Sequence, residues 1–168
     1  MTYLPSLSDQ LAVNIDSLTV LHNSTNDISI SAGTVLPLGD SRSIHGNATY
    51  TVSNGVVTLP AGYYYLLRGG IGAHSNTTPT DFVSYRFYDV GASSYIGRRG
   101  WLTWQERPQL VAGDDYAIAV IDASTTAQNV DFRIVSKGSG TIELDPTSSS
   151  SNDFNYAGYC RVEVWRWA

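Results

Sequence analysis

Short β-prone segments, separated by turn residues at regular intervals, make up most of this chain. Such segments recur from about residue 27 to the end of the chain, with glycine, aspartate and serine between them. This pattern predicts an all-β antiparallel sandwich or jelly roll of about ten strands. The predicted strands are Asp27–Ser31, Ala48–Ser53, Val56–Leu59, Tyr63–Ile71, Phe82–Tyr88, Ser94–Ile96, Trp101–Trp104, Tyr116–Ile121, Val130–Val135, Thr141–Leu144 and Tyr159–Trp167.

The dipeptide Asn54-Gly55 gives the most specific local prediction. It separates two β-prone segments by two residues that both tolerate a positive φ angle. A two-residue β-hairpin turn requires that conformation at both positions. We therefore expect the strands on either side of Asn54-Gly55 to pair with each other.

Two kinds of strand can be distinguished by their alternation. Phe82–Tyr88 and Val130–Val135 carry apolar residues on one face only, whereas Tyr63–Leu67 and Tyr116–Ile121 are apolar on both faces. In an isolated sandwich each sheet has only one covered face. The two-sided strands therefore predict that one sheet is also covered on its outer face. Another copy of the chain is the favoured cover, and long loops of the same chain are the alternative.

Residues 1–26 are assigned to an N-terminal arm or docking segment, and residues 27–168 to the β domain. Apolar residues in the arm recur at helical spacing, but many β-branched residues lie among them, so helix and strand both remain open. The apolar residues at helical spacing are Leu4, Leu7, Leu11, Ile15 and Leu18.

Composition limits the classes of partner. The net charge is −5, and the sequence pI is about 4.9, which argues against nucleic acid because phosphate binding requires a basic face. Only 15% of the residues are charged. The sequence shows no secretory signal and no apolar run of membrane-spanning length. Cys160 is the one cysteine, so a disulfide within the chain is excluded.

Two segments resemble a known family. Residues 54–65, NGVVTLPAGYYY, are similar to the G-x-(x)-T-x-P-x-G-x-Y-x-(Y/F) stretch of the C1q/TNF-like jelly rolls. Residues 157–167, AGYCRVEVWRW, resemble the closing inner strand of those domains. The resemblance covers residues from about 45 to 168 and implies a homotrimer packed through its inner sheets. The side chains that it assigns to the trimer interface are Tyr63, Tyr65, Trp165 and Trp167, and Tyr64 remains the alternative to the two odd-numbered tyrosines because it is equally aromatic.

The resemblance also implies a biological setting. Trimeric jelly rolls of this kind occur as bacteriophage virion proteins, and a chain of 168 residues without a stalk fits a small capsid decoration or head-fibre protein. We therefore expect a non-enzymatic structural protein of the virion surface, assembled in the host cytoplasm, that binds itself and the major capsid protein. The alternative is a receptor- or carbohydrate-binding tip of a tail fibre that contacts a host surface glycan.

One segment combines tryptophan and arginine in the way that recognition surfaces do. Aromatic rings stack on sugars, and arginine grips acidic groups. The alternative interpretation is a core tryptophan with arginines at its edge. The candidate surface residues are Arg98, Arg99, Trp101, Trp104 and Arg107.

Catalytic and metal-binding patterns are weak. The three histidines are scattered, no nucleophile elbow is present, and nothing pairs the few glutamates with aspartates, so we expect neither an enzyme nor a cofactor. Asp114-Asp115 and the loop Asp145–Asp153 carry oxygen ligands suited to Ca²⁺, but such aspartates more often make turns. The sequence therefore predicts no metal site.

Overall fold

The computed structural model describes residues 17–22, 28–45, 50–71, 74–75, 80–105, 115–144 and 160–167. Within these ranges every regular element is a β-strand, and no helix there is long and apolar enough to cross a membrane. The strands are β1 (Ser17–His22), β2 (Ile28–Ser29), β3 (Leu38–His45), β4 (Thr51–Ser53), β5 (Val56–Leu59), β6 (Tyr63–Ile71), β7 (His74–Ser75), β8 (Thr80–Asp89), β9 (Ser94–Gln105), β10 (Ala117–Ala123), β11 (Gln128–Lys137), β12 (Ile142–Leu144) and β13 (Cys160–Trp167).

Ten of these strands form one continuous antiparallel sheet in the order β3-β1-β13-β6-β10-β9-β8-β11-β5-β4. We call β3, β1, β13, β6 and β10 sheet I, and β9, β8, β11, β5 and β4 sheet II. The remaining strands form a small sheet in the order β2-β12-β7.

The chain passes repeatedly between the two large sheets. β5 lies in sheet II, β6 in sheet I and β8 in sheet II, and later β10, β11 and β13 alternate in the same way. Crossing connections between two packed antiparallel sheets define a jelly roll. The predicted fold class, an all-β antiparallel sandwich, is therefore confirmed.

Sheets I and II pack face to face through a shared apolar core. A Cβ atom placed on Gly69 of β6 would lie 2.8 Å from Cζ of Phe132 and 2.9 Å from Cζ of Phe87, so rings from β11 and β8 fill the space above this glycine. The predicted inward sides of the one-sided strands are confirmed by their burial. The inward residues of those strands are Val83, Tyr85, Phe87, Val130, Phe132 and Ile134.

The predicted hairpin at Asn54-Gly55 is present. The φ angles are 51° at Asn54 and 79° at Gly55, and the turn joins β4 to β5. Positive φ at both central residues is the requirement of the type I′ turn. The turn also packs closely, since a Cβ on Gly55 would lie 2.6 Å from the carbonyl oxygen of Leu36.

β9 was predicted as two short strands and is instead one long strand that belongs to both sheets. It pairs with β8 at both ends, and Arg98 pairs with Ile118 of β10 between them. The register with β8 shifts where Gly97 adopts a φ angle of 71°. This bulge joins sheet II to sheet I at one edge of the sandwich.

The segment assigned to the N-terminal arm contains a strand of the main sheet. β1 pairs with β13 on one side and with β3 on the other, so sheet I begins ahead of residue 27. The strand interpretation therefore holds for residues 17–22. The predicted helical spacing falls mostly on residues 1–16, which lie outside the described ranges.

Candidate functional site

The outward side of sheet I carries an unusual number of apolar side chains. Along β6, Tyr65 and Leu67 point into the core, whereas Tyr64 and Leu66 lie on the opposite side. The same alternation in β10 and β13 places further apolar side chains beside them. We call this surface the apolar face, and it consists of Tyr64, Leu66, Ile118, Val120, Trp165 and Trp167.

Strand register arranges the apolar face in rows. Trp165 and Val120 flank Leu66 from the two neighbouring strands, and Trp167 lies beside Tyr64. The rings of Tyr64 and Trp167 stack at 6.1 Å with an interplanar angle of 19°. Val120 in the middle row is 63% exposed, the highest value among the large hydrophobic residues that the structure describes as exposed.

A charged pair lies at the border of the apolar face, in a third row on the other side of the Leu66 row from Tyr64. Arg68 Nη1 lies 3.6 Å from Glu163 Oε2, and the Arg68 guanidinium lies 3.6 Å from the centre of the Tyr116 ring. Glu163 and Ile118 are the register partners of Arg68 on its two sides. The pair is tied to an aromatic ring and lies in the row of Ile118, next to the row that carries Val120.

The structure divides the four predicted interface residues between two faces. Trp165 and Trp167 lie on the apolar face, half-buried. Tyr65 is completely buried inside the protomer, where its hydroxyl donates to the Pro60 carbonyl oxygen at 2.7 Å. Tyr63 contacts Tyr65 from the same side, at a ring distance of 6.3 Å. The predicted tyrosine parity is therefore corrected, and Tyr64 is the outward tyrosine.

Strand pairing explains the correction. Residues directly opposite one another in an antiparallel pair share a face, and Trp167 is opposite Tyr64 while Trp165 is opposite Leu66. Odd residues of β6 therefore cannot share a face with these two tryptophans. The sequence alone did not supply this register.

The inward tyrosines form a buried cluster at one end of the sandwich. Tyr50 and Tyr65 meet edge to face at 6.2 Å, and the Arg166 guanidinium lies 4.2 Å from the centre of the Tyr63 ring. Burial, with the neighbouring Tyr63, raises the pKa of Tyr65 to about 12. Burial also raises the pKa of Tyr50 and lowers that of Arg166. This cluster lies on the inward side of sheet I.

The second predicted surface lies on the outward side of sheet II. Trp101 is 37% exposed, its ring is 5.7 Å from that of Phe82, and the Arg99 guanidinium lies 5.3 Å from its centre. Trp101 is therefore outside the core, as the recognition interpretation requires. Arg98 instead forms an ion pair with Asp115.

The structure does not describe the side chains of the other two members of that surface, Trp104 and Arg107. The backbone of Trp104 pairs with Asp81 in β9 and β8, but its side chain lies outside the described set. Arg107 falls in a range that the structure does not describe.

Sheet II also carries functional candidates that the sequence analysis missed. Arg133 donates two hydrogen bonds of 2.6 Å to Asp131, and its guanidinium lies 3.5 Å from the centre of the Tyr88 ring. These bonds raise the pKa of Arg133. Arg86 donates from Nε to the Ile96 carbonyl oxygen at 3.2 Å. Alternation of β8 and β11 would have placed these arginines on one face, but the pairing of the two strands was unknown.

The oxygen-bearing candidates for Ca²⁺ do not gather into a site in the part of the chain that the structure describes. No group of three histidine, cysteine, aspartate or glutamate residues is close enough there to hold a metal ion. Asp115 is engaged by Arg98, while Asp114 and the loop Asp145–Asp153 lie outside the described ranges. Asp122 accepts hydrogen bonds from the amide and hydroxyl of Ser124, which lower its pKa.

Comparison with solved structures returns matches that cover most of this chain. Eiger TNF from S. frugiperda matches with a TM-score of 0.47 and 9% identity, over 92% of this chain and 94% of that chain. Murine APRIL matches in two structures, with TM-scores of 0.44 at pH 5.0 and 0.43 at pH 8.0, each at 13% identity over 90% of this chain and 98% of that chain. No family model matches the sequence, and no curated protein matches it significantly.

Proposed function

We propose that this chain is a non-enzymatic structural protein that assembles into a homotrimer through the apolar face and decorates or stabilises a viral capsid. The observation that carries the self-assembly is the exposure of Val120, 63%, in the middle row of that face. Single exposed apolar residues are ordinary, but a contiguous apolar surface on a soluble protein marks an interaction site.

The energetics favour association through this surface. Full burial of one valine or leucine side chain stabilises by about 1.5–3 kcal/mol, and aromatic side chains bury larger areas. The apolar face carries six apolar side chains per protomer, but only Val120 at 63%, Tyr64 at 38% and Ile118 at 37% are exposed, and the other three are already partly buried, so each side chain adds only part of that value. Their combined burial can exceed the loss of translational and rotational freedom, about 4–15 kcal/mol for an association.

A second copy of the chain fits this surface because most of its members are rigidly presented. Tyr64, Leu66, Val120 and Trp165 lie on the three adjacent strands β10, β6 and β13. β6 and β13 are paired on both sides, whereas β10 pairs with β6 along its whole length and with β9 at Ile118. The number three comes from the resemblance to C1q/TNF-like domains, in which inner sheets meet at a threefold axis. Closed cyclic symmetry then prevents open-ended polymerisation.

The virion setting also comes from that resemblance. A trimer offers three identical attachment points, and linked attachment raises overall affinity without any new contact. The partner in this proposal is the major capsid protein. Quantitative peptide mass spectrometry of purified virions should detect this chain, with a copy number per capsid that is a multiple of three. Virions without the chain would contradict this part of the proposal.

A pair of matched variants tests the assembly surface. Val120→Glu places a charge in the middle row of the apolar face, whereas Val90→Glu makes the same change at a turn between β8 and β9, where the valine is 36% exposed. Trp165→Ser removes a ring from the same row as Val120. We expect Val120→Glu and Trp165→Ser to give monomers in sedimentation velocity, with unchanged far-ultraviolet circular dichroism.

Val90→Glu should keep the mass of the unmodified protein. If Val120→Glu remained trimeric, or if Val90→Glu dissociated equally, the apolar face would not be the assembly surface.

A further inference from the structure

A row of arginines crosses the outward side of sheet II. Arg133 on β11 and Arg86 on β8 are direct register partners. The register between β8 and β9 jumps from Tyr85–Gly100 to Phe87–Ile96, so Arg86 lies opposite the bulge that contains Arg99. We call Arg133, Arg86 and Arg99 the arginine row.

Three arginines side by side are unexpected in this acidic chain. Like charges directly opposite each other on neighbouring strands destabilise a sheet. The protein has a net charge of −5 and only ten lysines and arginines, yet three of those ten gather here. Asp131 compensates Arg133 but not the other two arginines, so an arrangement that runs against the overall charge points to a ligand that supplies the remaining negative charge.

Part of the charge in the row remains available. Asp131 compensates Arg133 through two hydrogen bonds of 2.6 Å. Among the residues that the structure describes, no carboxylate lies within ion-pair distance of Arg86 or Arg99. Arg86 bonds a backbone carbonyl oxygen, and Arg99 lies over the Trp101 ring. Two guanidinium groups can therefore receive an external anion.

Aromatic rings flank the row on both sides. Tyr88 lies under Arg133, and Tyr95 meets Tyr88 edge to face at 5.2 Å. On the other side Trp101 lies beside Phe82. The amide of Trp101 donates to the Asp115 carbonyl oxygen at 2.9 Å, which fixes the strand that carries the exposed ring.

Flat rings next to guanidinium groups are suited to one class of ligand. Guanidinium forks match carboxylates in paired hydrogen bonds, and exposed aromatic faces pack against the apolar faces of sugar rings. The row spans three adjacent strands, about 10 Å from first to last. We propose that the outward side of sheet II binds a carboxylated saccharide chain, with Arg86 and Arg99 on its carboxylates and Trp101 under its rings.

This site is complete within one protomer. All of its residues belong to sheet II, whereas the apolar face belongs to sheet I. Saccharide binding therefore does not depend on the trimer or on the virion role. If the protein is a monomer that binds the saccharide, the proposed assembly is wrong and the saccharide site stands. If the protein is a trimer that does not bind the saccharide, the saccharide site is wrong and the proposed assembly stands.

The test is calorimetric titration of the full chain with a hexamer of galacturonic acid. A neutral galactose hexamer and a hexaglutamate peptide are the comparison probes, because one lacks the charge and the other lacks the sugar rings. We expect binding of the uronate hexamer, and binding at least about tenfold weaker for both comparison probes.

Four variants locate the site. Arg86→Gln, Arg99→Gln and Trp101→Ala should each weaken uronate binding by about tenfold or more, since each removes a contact to the charge or to the ring. Lys137→Gln removes the same single charge from the far end of β11 and should leave the affinity unchanged. Circular dichroism confirms that each variant is folded, and the two arginine variants report separately if one fails to fold.

Several results would overturn the inference. The unmodified protein could fail to bind the uronate hexamer, or it could bind hexaglutamate equally well, which would assign the face to an acidic protein. Equal losses in Arg86→Gln and Lys137→Gln would show only general attraction between charges.

Discussion

Among single residues, the buried tyrosines Tyr65 and Tyr50 differ in whether the hydroxyl has a hydrogen-bond partner. Tyr65 is buried and donates to the Pro60 carbonyl oxygen, and Tyr50 is buried beside it with no hydrogen-bond partner for its hydroxyl among the described residues. A buried hydrogen bond contributes about 1 kcal/mol, whereas a buried hydroxyl without a partner carries a desolvation cost. The two hydroxyls therefore affect stability in opposite directions, although both rings are buried.

This contrast gives a paired prediction. Tyr65→Phe should lower the free energy of unfolding by about 1 kcal/mol, because it leaves the Pro60 carbonyl without its donor. Tyr50→Phe should leave the free energy of unfolding unchanged or raise it. Urea unfolding of both variants with the same slope checks the comparison. A larger loss in Tyr50→Phe than in Tyr65→Phe would contradict the assigned hydrogen bonds.

At the scale of the elements, β9 shows how far the sequence could predict the structure. Its ends were predicted as separate strands because glycines interrupt the alternation at Gly97 and Gly100. The structure keeps one strand, since the bulge at Gly97 lets it change partners without ending. A glycine inside a strand signals either a turn or a bulge, and only the pairing partners distinguish them.

The bulge also gives a prediction about the closure of the sandwich. A Cβ on Gly97 would collide with the Ile118 carbonyl oxygen, and the φ angle of 71° strains any other residue. Gly97→Ala should therefore destabilise the protein by more than about 2 kcal/mol by separating β9 from β10.

Gly91→Ala is the control for this substitution. A Cβ at Gly91 would have ordinary contact with Asp89 Oδ1 at 3.4 Å, so the change should stay within about 0.5 kcal/mol. Thermal unfolding of both variants would decide the matter. A Gly97→Ala variant as stable as Gly91→Ala would mean that β9 and β10 are not held together at this bulge.

Other elements could be predicted where the local sequence carries a turn motif or an apolar alternation, and could not be predicted where it carries neither. The hairpin at Asn54-Gly55 and the inward faces of β8 and β11 follow from turn chemistry and alternation. β3 carries few apolar residues in its sequence, LGDSRSIH, so composition did not mark it as a strand. Its place beside β1 is set by backbone pairing, which no short-range pattern encodes.

At the scale of the whole molecule, the sandwich presents two unlike outer surfaces on one shared core. Sheet I exposes the apolar face, and sheet II exposes the arginine row between aromatic rings. The sequence predicted an apolar outer surface from the two-sided strands, because alternation alone shows that both faces of β6 and β10 are apolar. It could not predict the arginine row, since that row exists only when β11, β8 and β9 lie side by side.

In the proposed assembly the apolar face joins the protomers and the arginine row binds the saccharide. If three protomers join through sheet I, each sheet II faces away from the symmetry axis and remains accessible to ligands. Three copies of the saccharide site would then act together, so a weak site could still hold a polymer firmly.

The solution mass of the unmodified protein, measured by light scattering over a range of concentrations, tests the proposed trimer. We predict three times the chain mass of 18.2 kDa, about 55 kDa, because burial of the apolar face is more favourable than its exposure to water. A constant mass of 18.2 kDa at every concentration would contradict it and would show that the apolar face is not a surface for self-assembly.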